Sequence, residues 1–431
     1  MSPGPCSTGS RPTDPRPVAQ PRHWIVLGAL AIGISLGAWI DHSGGELAHS
    51  VASGIEAIGT LWLNALRMTV GPLVFSMLVA AVASVSDAMA TGRLASRAIG
   101  WFTFLLLVAG TLAVLLTQGL LALWPVDRAT ADAFIAGASQ GTTGAVKSIG
   151  WTEWLQQLLP PNIVAAAADN AILALVVFAI LFGFAATKLP AQQRNALTSF
   201  FGAMAEAMVV MVHWVLLVAP IGVFALALGV GRQAGLGAAG LLVQYATTVA
   251  AVIAIATLFI YVVVALRGRV SVVTFATAVA PVQVVAASTQ SSLATLPAMI
   301  ECARERLYVS PRITSLVLPL AVAVFRYTSP LGNLAVCYFI AAMYGIEPHL
   351  LQMIGSVFVA FAISIGSVGL PGQVSFIASV APICAALGLP IEVLGILVAV
   401  EILPDIFRTV GNVTADVAVT VLVDESEPTL V

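Results

Sequence analysis

The chain has 431 residues and a formal net charge of −2; 59% of it is hydrophobic and 9% is charged, against about 25% charged in ordinary soluble domains. That balance excludes an array of soluble domains and leaves no electrostatic case for nucleic-acid binding. Apolar runs long enough to cross about 30 Å of hydrocarbon recur from end to end, so the sequence reads as a polytopic membrane protein.

Residues 1–22, "MSPGPCSTGSRPTDPRPVAQPR", are Pro-rich and polar. They cannot bury enough apolar surface to order themselves, so a disordered tail is expected rather than a cleavable signal peptide. Apolar segments follow at 24–41, 57–84, 98–124, 163–187, 197–230 and 238–266. Beyond them the pattern becomes irregular: 272–302 and 350–388 are apolar but interrupted by small and polar residues. Each precedes a helix-like run, 313–343 and 391–423, that carries polar residues at depth. The four cysteines (Cys6, Cys302, Cys337, Cys384) show no metal-type or disulfide spacing and are expected as free thiols.

Basic residues set the orientation. With 272–302 entering and leaving as a hairpin, twelve of them fall on one side: Arg11, Arg16, Arg22, Arg93, Arg97, Lys188, Arg194, Arg267, Arg269, Arg304, Arg306 and Arg312. Only Arg128, Lys147 and Arg232 fall on the other, while Arg67, Arg326 and Arg408 lie within spans. A cytoplasmic N-terminus in the cell (inner) membrane is expected.

The two interrupted segments resemble each other. "STQSSLATLP" (288–297) and "SIGSVGLPG" (364–372) both place small hydroxyl and glycine residues before Leu-Pro. The later helices show a weaker echo in "RYTSPLGN" (326–333) and "RTVGN" (408–412). Irregular backbone at membrane depth must be buried in protein or line a wet cavity, and paired interrupted segments point to a transporter's midplane site. The competing reading is a set of ordinary small-residue packing faces.

In the last run, "AVEILPDIFRTVGNVTADVAVTVLV" (399–423), Asp405, Arg408, Thr409, Asn412 and Asp416 fall on one helix face. Intramembrane charges are costly and mark substrate or ion sites. An acid, a guanidinium, a hydroxyl and an amide together suit a zwitterion carrying carboxylates. The blander alternative is a structural Asp405–Arg408 pair. Glu401, one turn earlier, is a candidate proton site, with a structural hydrogen bond as the alternative. His213 is expected as a packed residue, Asp169–Asn170 as a helix break or subunit contact, and Arg67 as a snorkelling or headgroup-binding side chain.

"DIFRTVGNVTAD" resembles the last-helix motif D-x-x-R-T-x-x-N-V-x-x-D of the dicarboxylate/amino acid:cation symporter family, the glutamate/aspartate transporters. "SSLATLP" and "SVGLPG" are similar to its two hairpin tips, and "VGPLVFSMLVAAVASVSD" (70–87) and "VAPIGVFALA" (218–227) to its second and fifth helices. The resemblance runs from about residue 24 to 424. It implies an all-α polytopic fold of eight transmembrane helices and two re-entrant helical hairpins, at about 272–305 and 348–388, arranged as inverted repeats in a homotrimer. It further implies scaffold parts at 23–96 and 161–232, transport-domain parts at 97–124 and 233–424, an extracellular loop at 125–160 and a C-terminal tail at 425–431.

Carried over by position, the resemblance implies that Asp405 holds a substrate ammonium, Arg408 its side-chain carboxylate and Asn412 its α-carboxylate. Thr409 supports the amino end, and Ser329 stands where a threonine near the side-chain carboxylate is usual. Ser291 and Ser292 of the first tip and Gly369, Leu370 and Gly372 of the second close over the ligand. Asp416 falls on a carboxylate used for sodium. The departures concentrate in the seventh span, where "FRYTS" (325–329) replaces the usual N-M-D-G-T and Phe325 and Tyr327 remove two sodium ligands. The third span, "WFTFLLLVAGTLAV" (101–114), lacks the same site's partners, and Gln290 stands where some members have arginine. Arg326 then reads as a tethered cation where sodium would sit, pairing with Asp416, or as a direct reader of a substrate carboxylate.

The expected function is alternating-access (elevator-type) transport of aspartate or glutamate with a proton, rather than sodium, as coupling ion. No cofactor, catalytic residue or metal set is expected; the partners are the small-molecule substrate and membrane lipids. The competing readings are a C4-dicarboxylate carrier, which a substrate-facing Asp405 disfavours, a carrier of another amino acid, and an anion channel or passive pore. An enzyme is disfavoured because no metal, nucleophile-elbow or P-loop motif occurs in the chain.

Overall fold

A computed structural model describes residues 23–90, 93–138, 159–169, 171–267, 270–366 and 372–424, and the described residues are helical without strands. The first helices are α1 (His23–Ser43), α2 (Glu46–Ala90), α3 (Arg93–Leu123) and α4 (Arg128–Ala138). Next come α5 (Ile163–Ala168), α6 (Ile172–Ala186), α7 (Ala191–Leu217), α8 (Ala219–Ala234) and α9 (Gly237–Arg267). Then α10 (Val272–Thr289), α11 (Ser292–Glu301), α12 (Pro311–Val324), α13 (Thr328–Tyr344), α14 (Leu350–Gly366) and α15 (Gly372–Ala386) follow. A short α16 (Leu394–Leu397) and α17 (Ile402–Val423) end the described chain. Among the described residues, eight helical stretches are long and apolar enough to cross a membrane.

Two segments read as single spans are divided. The 163–187 run breaks between α5 and α6, where Asp169 closes α5 against the carbonyl of Ala165. The 197–230 run breaks at Val218, and Pro220 at the start of α8 explains it. A proline is accommodated in a first turn but cannot continue an α-helical ladder through its own nitrogen. The same logic acts at Pro404: Val398–Val400 tightens to a 3-10 turn before α17 begins.

Helices α1, α2, α7 and α8 pack chiefly on one another, and α3, α9, α10, α12, α13 and α17 form a second group. The α1–α8 contact is a backbone-to-backbone approach. A Cβ on Gly37 would lie 2.3 Å from the Leu228 carbonyl oxygen, and one on Gly231 would lie 2.3 Å from that of Ile34. Small residues permit this packing where no hydrophobic force draws helices together. Gly37→Leu must push rigid backbone aside, so it is expected to destabilise by roughly 1–3 kcal/mol. A lower melting temperature of purified protein in detergent checks it.

Two ion pairs join the helices further. Arg232 of α8 reaches Glu56 of α2 at 2.8 Å, with His49 Nδ1 3.1 Å from its other terminal nitrogen. Arg67 of α2 reaches Glu392, just before α16, at 3.0 Å, so its head is held by protein rather than left to snorkel. On α4, Arg128 donates to the carbonyls of Ala342 and Met343 at the end of α13. Beside it, Asp127 accepts from Thr130 Oγ1 at 2.6 Å and from its backbone N–H at 2.9 Å, bonds that hold the carboxyl below its usual range.

Candidate functional site

Helices α10 and α11 form a hairpin that turns through Gln290, whose backbone is left-handed (φ 49°), and packs against α17. Ser291 caps α11 by accepting from the Ala294 N–H at 3.2 Å, so its hydroxyl is committed to the turn. Ser292 opens the helix, where early N–H groups lack intrahelical partners. Gln283, within α10, donates to Tyr261 and Thr414 and anchors this arm to α9 and α17. Helices α14 and α15 also pack on each other. Gly372 begins α15; Gly369 and Leu370 lie outside the described residues.

The seventh-span run is broken at 325–327, between α12 and α13. Phe325 leaves helical geometry (φ −107°, ψ 93°), and its ring stacks on Phe102 of α3 with centroids 4.6 Å apart. Tyr327 is fully buried, and its hydroxyl donates to the Ala256 carbonyl at 2.8 Å. Both positions are therefore filled by aromatic packing. Between them, Arg326 donates from Nη1 to Ser375 of α15 at 3.4 Å and lies within electrostatic reach of Asp405 and Asp416. The expected direct pairing with Asp416 needs correction. Both Asp416 carboxylate oxygens are buried without a hydrogen-bond partner among the described residues, so Arg326 acts on them across space.

On α17 the expected face is assembled. The Asn412 Oδ1 accepts from Thr328 N–H and Oγ1, both at 2.9 Å, which ties the start of α13 to α17. Thr409 bonds the Asp405 carbonyl at 3.0 Å. Arg408 pairs not with Asp405 but with Glu401, seven residues earlier, at 2.9 Å. Tyr245 of α9 donates to the other Glu401 oxygen. With both oxygens engaged, Glu401 serves here as the structural anchor of Arg408. Arg408 Nη1 donates to Asn333 Oδ1 at 2.9 Å, and Asn333 Nδ2 donates to Ser329 at 3.1 Å.

Sequence reasoning missed Tyr245, Gly332 and Asn333. Asn333 stands four residues after Ser329 on an apolar helix, a spacing that signals a shared face. Gly332 is required for close approach: a Cβ there would fall 2.5 Å from the Arg408 guanidinium carbon. Tyr245 carries no sequence signal beyond a lone hydroxyl in an apolar span. His213 bonds its own helix through Val209 O at 3.0 Å, as a packed residue would. The described cysteines are free and buried, with Cys337 and Cys384 sulfurs 3.5 Å apart.

An all-helical, many-spanned chain whose acid, guanidinium and amide groups gather on broken helices belongs to the class of membrane transporters. More narrowly, the chain belongs to the sodium:dicarboxylate symporter family, whose model matches residues 23–426. It is 31% identical over 403 residues to the proton/glutamate-aspartate symporter of Escherichia coli (strain K12), covering 93% of this chain and 91% of that protein. It is 28% identical over 407 residues to the proton/sodium-glutamate symport protein of Geobacillus stearothermophilus, covering 94% of each. It is also 30% identical over 432 residues to the neutral amino acid transporter B(0) of Oryctolagus cuniculus, covering 90% of this chain and 77% of that protein. The protein is thus a multi-pass cell-membrane transporter of the symporter type, not an enzyme.

Proposed function

We propose that the protein is a secondary active transporter of aspartate or glutamate, working by an elevator-type alternating-access cycle in a homotrimer with a cytoplasmic N-terminus. One observation carries the reading: Asp405, Arg408 and Asn412 share α17, with Arg408 clamped by Glu401 and Asn333 and the Asn412 oxygen consumed by Thr328. Asp405 then takes the substrate ammonium, the free donors of Arg408 take the side-chain carboxylate, and Asn412 Nδ2 takes the α-carboxylate. The name of the Escherichia coli relative supports both substrates and that of the Geobacillus relative supports glutamate. In this cycle 23–96 and 161–232 form the scaffold, 97–124 and 233–424 the moving part, and the Arg67–Glu392 pair lies across their boundary.

Arg326 supplies fixed positive charge where the family's sodium would bind, and protons couple the cycle. The aromatic filling by Phe325 and Tyr327 supports this, as does Arg326 standing near both Asp405 and Asp416. Uptake into proteoliposomes, with sodium and pH gradients varied independently, tests the whole reading. Aspartate binding is expected to stay constant across sodium concentrations at fixed ionic strength, while an inward proton gradient drives accumulation. A steep rise of affinity with sodium would overturn the tethered-cation assignment.

A further inference from the structure

Arg408 cannot act on a carboxylate alone, because its rotamer is set by Asn333 of α13 as well as by Glu401. A guanidinium only donates, so the Asn333 atom 2.9 Å from Arg408 Nη1 must be the amide oxygen. That fixes the amide's orientation and turns Nδ2 toward Ser329, 3.1 Å away, as a donor. The Ser329 oxygen therefore accepts, and among the described residues no group takes its hydroxyl proton. Asn333 is 1% exposed, and a flipped amide would set its NH2 against the Arg408 guanidinium, donor against donor.

From this relay we infer that Asn333 is a positioning residue for substrate selection. It aligns Arg408 and points the Ser329 hydroxyl outward, so that both donate to one substrate carboxylate. The inference rests on the acidic amino-acid reading above and names the residue that sets its preference for a charged over an amide side chain.

The direction of the relay makes Asn333→Asp the informative variant. It is nearly isosteric, but a carboxylate accepts at both ends. It would draw the Ser329 proton inward and compensate the Arg408 charge internally, removing one donor and weakening the other. Aspartate and its amide analogue asparagine are the probes, by direct uptake and competition in proteoliposomes. Asn333→Asp is expected to raise the aspartate KM by roughly 10- to 100-fold, the scale of a lost charge-assisted hydrogen bond. The asparagine constant should change much less, so discrimination between the two falls. Ser329→Ala should weaken aspartate transport in the wild-type background and add little to Asn333→Asp, since one relay cannot be broken twice.

Asn333→Leu, which keeps the branched shape at a larger volume and removes the relay, is expected to shift discrimination in the same direction and serves if the aspartate variant does not fold. An aspartate-to-asparagine ratio within about twofold of wild type in the folded variant, or equal Ser329→Ala effects in both backgrounds, would overturn the positioning role. Wild-type protein that transports neither aspartate nor glutamate would instead overturn the functional reading and this inference with it.

Discussion

Arg408→Ala is expected to abolish aspartate uptake at substrate concentrations that saturate the wild type. Truncating one partner of a buried, hydrogen-bonded charge pair costs about 2–5 kcal/mol, or roughly 30- to several-thousand-fold in affinity. Part of that cost would come from Glu401, which loses the guanidinium 2.9 Å away. The double variant Arg408→Ala with Glu401→Gln separates the two contributions, because it leaves no uncompensated carboxylate behind. If the double variant folds and still fails to take up aspartate, the loss belongs to substrate binding. Asp405→Asn completes the comparison: it should impair amino acids more than a dicarboxylate such as succinate, which has no ammonium to pair. Aspartate affinity within a few-fold of wild type after Arg408→Ala would remove the site from α17.

Glu401→Gln alone should lower the melting temperature of the empty carrier strongly. Glu401 is 5% exposed and holds both Tyr245 and Arg408. Replacing it leaves a guanidinium buried without its counter-charge, a change that typically costs about 3–5 kcal/mol. Saturating aspartate should recover part of the loss, since its side-chain carboxylate supplies a counter-charge to the same group. Thermal unfolding in detergent, with and without aspartate, reads both effects. An unchanged melting temperature of the empty variant would show that the pair does not carry the Arg408 side chain.

The class of protein, the identity of the last helix and the turn in the first interrupted segment were all readable in one dimension. Apolar length and the spacing of Asp405, Arg408, Thr409 and Asn412 are local properties, and a helix converts spacing directly into a face. The polar run "RYTSPLGN" (326–333) also marked the stretch where the helix is broken, at 325–327. The division at Asp169 falls where a helix break was one of the two expectations, whereas the one at Val218 was missed: apolar length alone cannot reveal where the hydrogen-bond ladder stops.

What only the tertiary structure decided is which partner each polar group takes. Chain proximity offered Asp405 as an alternative partner for Arg408, yet packing α9, α13 and α17 together delivered Glu401 and Asn333, with Tyr245 on Glu401. Chemistry favoured a direct Arg326–Asp416 pair, yet the described geometry leaves Asp416 without a hydrogen bond and turns Arg326 toward Ser375. Spacing along one helix sets which side chains share a face, but a hydrogen bond needs atoms within about 3 Å. Between groups on different helices, that distance is set by how closely the helices approach. Here the approach depends on a missing side chain at Gly332, whose effect exists only once Arg408 lies against it.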